Sequence, residues 1–150
     1  MTANGINAYR KTDVGTADQK RLIMMCYEGA IANMNRAKEL FLAREFEEKA
    51  KALNKARDII TVMMCSLDFE KGGQVAVGLD ALYNYMLRRM TEGDINKDMT
   101  VFDEIIGILD DLRTTWDEAL YGETRRRNAE LKEISNHAQG NAGAVNISGA

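Results

Sequence analysis

The chain has 150 residues and a formal net charge of -3 at neutral pH, with no proline and a single histidine. That size suits one domain and buries roughly two thirds of the unfolded surface, enough for a core without staples. Residues 1–120 carry 16 basic and 20 acidic side chains and the last 30 carry 4 and 3, so no basic field points to nucleic acid. The absence of proline, the frequent Met and the modest aromatic content argue for an all-helical chain.

Residues 1–15 are polar, with isolated Ile6, Tyr9 and Val14, and read as a flexible N-terminal arm. A capping box follows, in which Thr16 accepts from the Gln19 amide and Gln19 reaches back. From there Ile23, Cys26/Tyr27, Ala30, Met34, Ala37 and Phe41 recur at helical spacing, which predicts a helix over 17–43. A second stripe runs Phe46, Ala50, Leu53, Ala56, Ile60, Met63/Met64 and Leu67.

"LDFEKGG" (67–73) comes next, with Gly72 and Gly73 adjacent. A phosphate-binding loop needs a strand before it and a lysine after its glycines. Here the flanks are helical and Lys71 precedes the pair, so the segment reads as the bend between helices two and three. Asp68 and Glu70 are placed to satisfy loop amides or favour the next helix start. Phe69 either packs under the turn or projects outward.

The third stripe is Val75, Leu79, Leu82/Tyr83, Met86 and Met90. The fourth begins after Asp98, an N-cap candidate, and runs Val101/Phe102, Ile105, Ile108/Leu109, Leu112, Trp116 and Leu120. Short connections make neighbours antiparallel, so residues 16–120 are expected to form an elongated up-down four-helix bundle. Residues 121–150 read as a charged, partly helical tail that ends in a disordered Gly/Ala/Asn-rich stretch.

Enzyme constellations fail on these residues. His137 lies in the tail, which removes Ser-His-Asp and Cys-His chemistry and the Glu-x-x-His metal ligands of di-iron bundles. The acidic pairs Asp103/Glu104, Asp110/Asp111 and Asp117/Glu118 share a face opposite the apolar stripe and read as solvated. No metal, cofactor or nucleic acid is expected. No apolar run reaches membrane-spanning length, and the N-terminus lacks a targeting pattern. Cys26 and Cys65 read as reduced, buried cytoplasmic thiols.

Apolar residues exceed what one core face needs. Leu22, Met25 and Gly29 make a second arc on the first helix; Ala76, Tyr83, Tyr85 and Leu87 widen the third; Ile105 and Ile108 flank the line of the fourth. Such arcs suit grooves for another chain, and the abundant methionines suit a pliable surface. A wide, well-filled core is the equally weighted alternative. Gly29, Gly78 and Gly107 interrupt helical patterns, each at about 1 kcal/mol relative to alanine, which points to close approach or a bare groove floor.

"GINAY" (5–9), Thr16 with "LIMMCYEGAI" (22–31), "ALNKARDII" (52–60), "LDFEKGG" (67–73), "LDALYNYMLRRM" (79–90) and "ILDDLRTTW" (108–116) occur in an order that resembles the flagellar secretion chaperone family FliS. The resemblance spans residues 4–120 and implies an antiparallel four-helix bundle in the cytoplasm, without catalysis. It implies a client, the C-terminal segment of flagellin, held in apolar grooves until export. It also implies the flagellar export gate or a co-chaperone as further partners of a monomer or weak dimer. Carried over by position, the resemblance makes Ile6 and Tyr9 anchors of a displaceable arm. It makes Leu22 and Met25 flagellin-binding candidates, together with Leu79, Leu82, Tyr83, Tyr85 and Met86, which are expected to divide between core and groove; Ile105 and Ile108, from the wider apolar arc of the fourth helix, join them as candidates. Cys26, Glu28 and Gly78 depart from the family's usual residues. A self-associating helical bundle without a flagellin client is the competing reading.

Overall fold

In a computed structural model the chain forms four α-helices: α1 (Thr2–Leu42), α2 (Phe46–Cys65), α3 (Phe69–Asn96) and α4 (Met99–Ser148). The structure describes the backbone of residues 2–148 and the side chains of residues 17–142, and no strand occurs among them. The chain divides into two compact units, Met1–Thr114 and Thr115–Ala150.

In the first unit the cross-helix contacts fix an antiparallel order. On α1 and α2, Gly29 approaches Ile59 while Phe41 and Phe46 meet edge to face at 5.9 Å, so the residue numbers run in opposite senses. Lys49 pairs with Asp94, and the Arg57 guanidinium donates to the Thr91 hydroxyl at 2.7 Å, which joins α2 to α3. Gly93 lies against Val101, and Tyr85 donates to Glu104, which joins α3 to α4. Lys38 and Asp103 close the ring between α1 and α4 at 2.6 Å. This is an all-α four-helix bundle, the fold class expected from the stripes.

The core takes Met24, Tyr27, Ala30, Met34, Ala37 and Leu40 from α1 and Ala52, Leu53, Ala56, Ile60 and Met63 from α2. Ala76, Tyr83, Met86 and Met90 come from α3, and Val101, Phe102, Ile105 and Leu109 from α4. Tyr27 and Tyr83 meet through their hydroxyls in the interior, α1 to α3 across the bundle. The pairing satisfies polar groups that would be costly to bury alone.

The chain reverses twice through non-glycine residues in left-handed backbone. Arg44 has φ 59° and Lys97 has φ 55°. Each turn is closed by a six-residue bond, Glu45 N–H to the Leu40 carbonyl at 2.9 Å and Asp98 N–H to the Gly93 carbonyl at 2.8 Å. That pattern ends a helix tightly but strains a side-chain-bearing residue. Asp98 accepts from the Thr100 N–H at 3.0 Å, so the expected N-cap of α4 is made.

Several expectations shift. α1 starts at Thr2, so Thr16 and Gln19 are interior and do not mark a helix start. α4 does not end at Leu120 but runs to Ser148, first over 121–134, where the helix formers Arg and Glu are frequent. The α2–α3 turn falls at 66–68, with Asp68 capping the Glu70 and Lys71 amides at 3.0 Å each. The expected bend is therefore shared: the turn at 66–68 ends α2, and Gly73, at φ 50° and ψ -126°, separates a first helical turn of α3 from the longer run beyond it. The kink changes the phase of the stripe, so Ala76 is buried and Val75 is 68% exposed. The cysteines are not buried thiols: Cys26 is half-buried and Cys65 is exposed. Of the methionines expected at a pliable surface, Met24, Met63, Met86 and Met90 are core.

Two backbone substitutions test these turns. Lys97→Gly removes left-handed strain and should stabilise the chain by about 1 kcal/mol. Gly73→Ala places a side chain where L residues rarely stand and should destabilise by about 1–2 kcal/mol. Urea denaturation followed by circular dichroism reads both, and equal effects of one sign would contradict the assigned conformations.

Candidate client-binding surface

Two apolar strips lie on the outside of the first unit. On α1, Leu22 is 58% and Met25 53% exposed, one turn apart. Gly29 continues the same side and faces α2, where a β-carbon added to it would stand 3.3 Å from Ile59. Ile59 is half-buried, and Val62, one turn beyond it, is 58% exposed. Because α1 and α2 run antiparallel from the Gly29–Ile59 contact, Met25 and Leu22 advance alongside Val62. The result is a strip of aliphatic side chains along the α1–α2 seam.

The second strip follows α3 and α4. Tyr85 is 37% exposed and donates to Glu104; Leu79, Leu82 and Ile108 are half-buried. Arg89 joins the same carboxylate at 3.3 Å and bonds Glu92 at 2.8 Å. The hydrogen bond from Tyr85 and the Arg89 guanidinium hold the Glu104 carboxyl below its ordinary range, and the same bond raises the Tyr85 phenol. These exposed contacts contribute little net stability, but they fix where the tyrosine ring stands.

The remaining candidates part company with these strips. Tyr83, Met86 and Ile105 are core residues, at most 2% exposed, and offer no free surface. Burial raises the Tyr83 phenol, which its hydrogen bond with Tyr27 partly offsets. Asp68 and the glycine pair shape the start of α3. The side chains of Ile6 and Tyr9 lie outside the described residues. Phe69 is 51% exposed and projects outward, and Val77 and Ile95 are also exposed.

Val62 was missed from sequence because its helix was read as one stripe. The signal was present in Ile59 and Val62, spaced by three beside Ile60 and Met63. Val75 and Val77 were hidden by the phase change at Gly73. Among the described residues no group of three or more His, Cys, Asp or Glu is placed to hold a metal ion, and no helix is long and apolar enough to cross a membrane. In the second unit, Arg125 pairs with Asp117 at 3.0 Å and Arg126 with Glu118 at 2.6 Å, and Leu131 and Ile134 are exposed.

Acid titration tests the α3–α4 network. A depressed carboxyl stabilises the folded state fully above its ordinary pKa, 4.5 for Glu104, and that contribution is lost as pH falls through the lower folded value. Glu104→Gln should therefore flatten the fall in stability below pH 4.5 relative to the parent chain. Identical acid limbs for the two proteins in urea melts would refute the network.

Comparison with known proteins gives the chain a family context. The family model described as flagellar protein FliS matches residues 2–123. The chain is 34% identical over 120 residues to the flagellar secretion chaperone FliS of Salmonella typhimurium, covering 77% of this chain and 89% of that protein. It is 31% identical over 107 residues to the flagellar secretion chaperone FliSB of Pseudomonas aeruginosa, covering 71% and 85%. It is 28% identical over 124 residues to the flagellar secretion chaperone FliS of Bacillus subtilis, covering 83% and 92%.

Proposed function

The chain belongs to the flagellar protein FliS family, and from that premise we propose that it is an export chaperone for the C-terminal segment of flagellin. In this reading it acts in the cytoplasm, binds the segment before export and prevents premature polymerisation. The observation that carries the reading is the position of Leu22 and Met25. Both are more than half exposed in the segment through which the chain resembles the family, on a helix whose opposite side is core. Aliphatic side chains in pairs one turn apart suit the apolar face of an amphipathic segment that folds as it binds.

No bond is made or broken in this function. The free energy comes from apolar burial, offset by the ordering of the client. The flagellar export gate or a co-chaperone is a further partner on this reading, and the protein binds its client as a monomer or weak dimer. The polar N-terminal residues carry Ile6 and Tyr9 as two apolar anchors, a composition that suits an arm that covers a groove and is displaced.

Calorimetry with a peptide of the organism's own flagellin C-terminus should give one-to-one binding with a negative heat-capacity change. Leu22→Asp with Met25→Asp, both at exposed positions, should leave the melting temperature within a few degrees and weaken binding by about tenfold or more. Binding that is absent in the parent chain would sink the proposal. Ile6→Ala with Tyr9→Ala should keep the bundle folded and change the peptide's affinity; an unchanged affinity would remove the arm from the mechanism.

A further inference from the structure

α3 is held unevenly along its length. Among the described residues, the side-chain bonds that tie it to other helices run from Tyr83 to Asp94. Tyr83 meets Tyr27, Tyr85 and Arg89 reach Glu104, Thr91 accepts from Arg57, and Asp94 pairs with Lys49. The large buried side chains Tyr83, Met86 and Met90 fall in the same half. From Phe69 to Gly78 the helix buries Ala76 alone, a single methyl group. The start of α4 is the contrast: Val101 and Phe102, in its first turn, are both core.

The same stretch is a weak helix in its own right. Gly72, Gly73 and Gly78 stand within it, and Gly73 leaves helical geometry altogether. Glycine gives the unfolded chain more conformations to return to, so each one favours opening. Gly78 is helical, without a positive φ, and a β-carbon added to it meets nothing within 4 Å. The folded state therefore does not require glycine there. A local rule broken without a folding reason marks a position with another task. Val75 and Val77 are 68% and 52% exposed and add little burial in return. What orders the segment is local. The Asp68 carboxylate accepts from the Glu70 and Lys71 amides at 3.0 Å each, and the Gly72 N–H donates to the Asp68 carbonyl at 2.8 Å.

We infer that residues 69–78 form a strap that opens as one unit, with Gly78 as its hinge, while the rest of α3 stays bonded to α1, α2 and α4. Opening gives up the Asp68 cap and withdraws Ala76 from the core, and no cross-helix bond has to break. Local unfolding selects the part of a fold with the fewest buried contacts, and in α3 that part is this one. The bundle can thereby change shape at the end where α2 passes into α3 and keep its packing elsewhere. The device rests on the fold alone and stands whether or not the chain receives flagellin.

Hydrogen exchange of the full chain, read residue by residue and corrected for intrinsic rates, tests the strap. The amides of Val77 to Asp80 should exchange about a hundredfold or more faster than those of Met86 to Gly93. Low urea should leave the first group unchanged and accelerate the second, because a small opening exposes little surface. Gly78→Ala should slow the first group about fivefold. Trypsin under native conditions should cut after Lys71 before it cuts after Lys55 or Arg88, although all three are exposed, since cleavage follows the population of the open form. Equal protection along α3, or urea acting on both groups alike, overturns the inference and makes α3 one cooperative helix. Exchange at Val77 to Asp80 that Gly78→Ala leaves unchanged removes the hinge and overturns it too, as does first cleavage at Lys55 or Arg88.

Discussion

The bundle depends on a complementarity of size. α1 and α2 meet through small residues: Ala30 and Ala37 on one helix, Ala52 and Ala56 on the other, none more than 6% exposed, with Gly29 against Ile59. α3 and α4 supply the bulk that fills the space, in Met86, Met90, Phe102, Ile105 and Leu109, all without exposure. A core packed to interior density has one way to accommodate this arrangement. Leu22, Met25 and Val62 stand outside this seam.

A second constraint links the helices across the interior. Every buried side chain among the described residues is hydrophobic, and the Tyr27 and Tyr83 hydroxyls meet inside it. An apolar core without such a contact tolerates rotation of one helix against another. The hydroxyl pairing ties one face of α1 to one face of α3, so the sides these helices present to solvent are fixed as well. Tyr85, two residues along from Tyr83, is thereby directed outward to Glu104.

The four helices were legible in sequence because their stripes are long. Asp98 caps α4 as its position suggested, and Leu53, Ala56, Ile60, Phe102 and Leu109 are core as their spacing required. The division of the wider arcs into core and surface was not legible. Tyr83, Met86 and Ile105 sit beside exposed apolar residues at the same spacing, and only the positions of the facing helices decide which are covered. The glycine pair accounted for only part of the bend. Asp68 ends the turn four residues before Gly72, because a carboxylate capping two amides starts α3 earlier than the glycines do. Left inside the helix, Gly73 could relax only by breaking it. The phase of Val75 and Ala76 changed with it, and no periodicity spanning a kink predicts that.

The methionines bear on how a client would be received. A pliable surface was one of two equally weighted readings for them, yet Met24, Met63, Met86 and Met90 are inside, where an unbranched thioether fills irregular gaps. The exposed apolar positions of the first unit include Leu22, Leu42, Phe46, Val62, Phe69, Val75, Val77, Tyr85 and Ile95, with Met25 a flexible member. Four of these are β-branched, and in a helix such side chains keep one strongly preferred rotamer. A face of this kind loses little side-chain freedom when it is covered. The ordering cost of any association with such a face then falls on the partner.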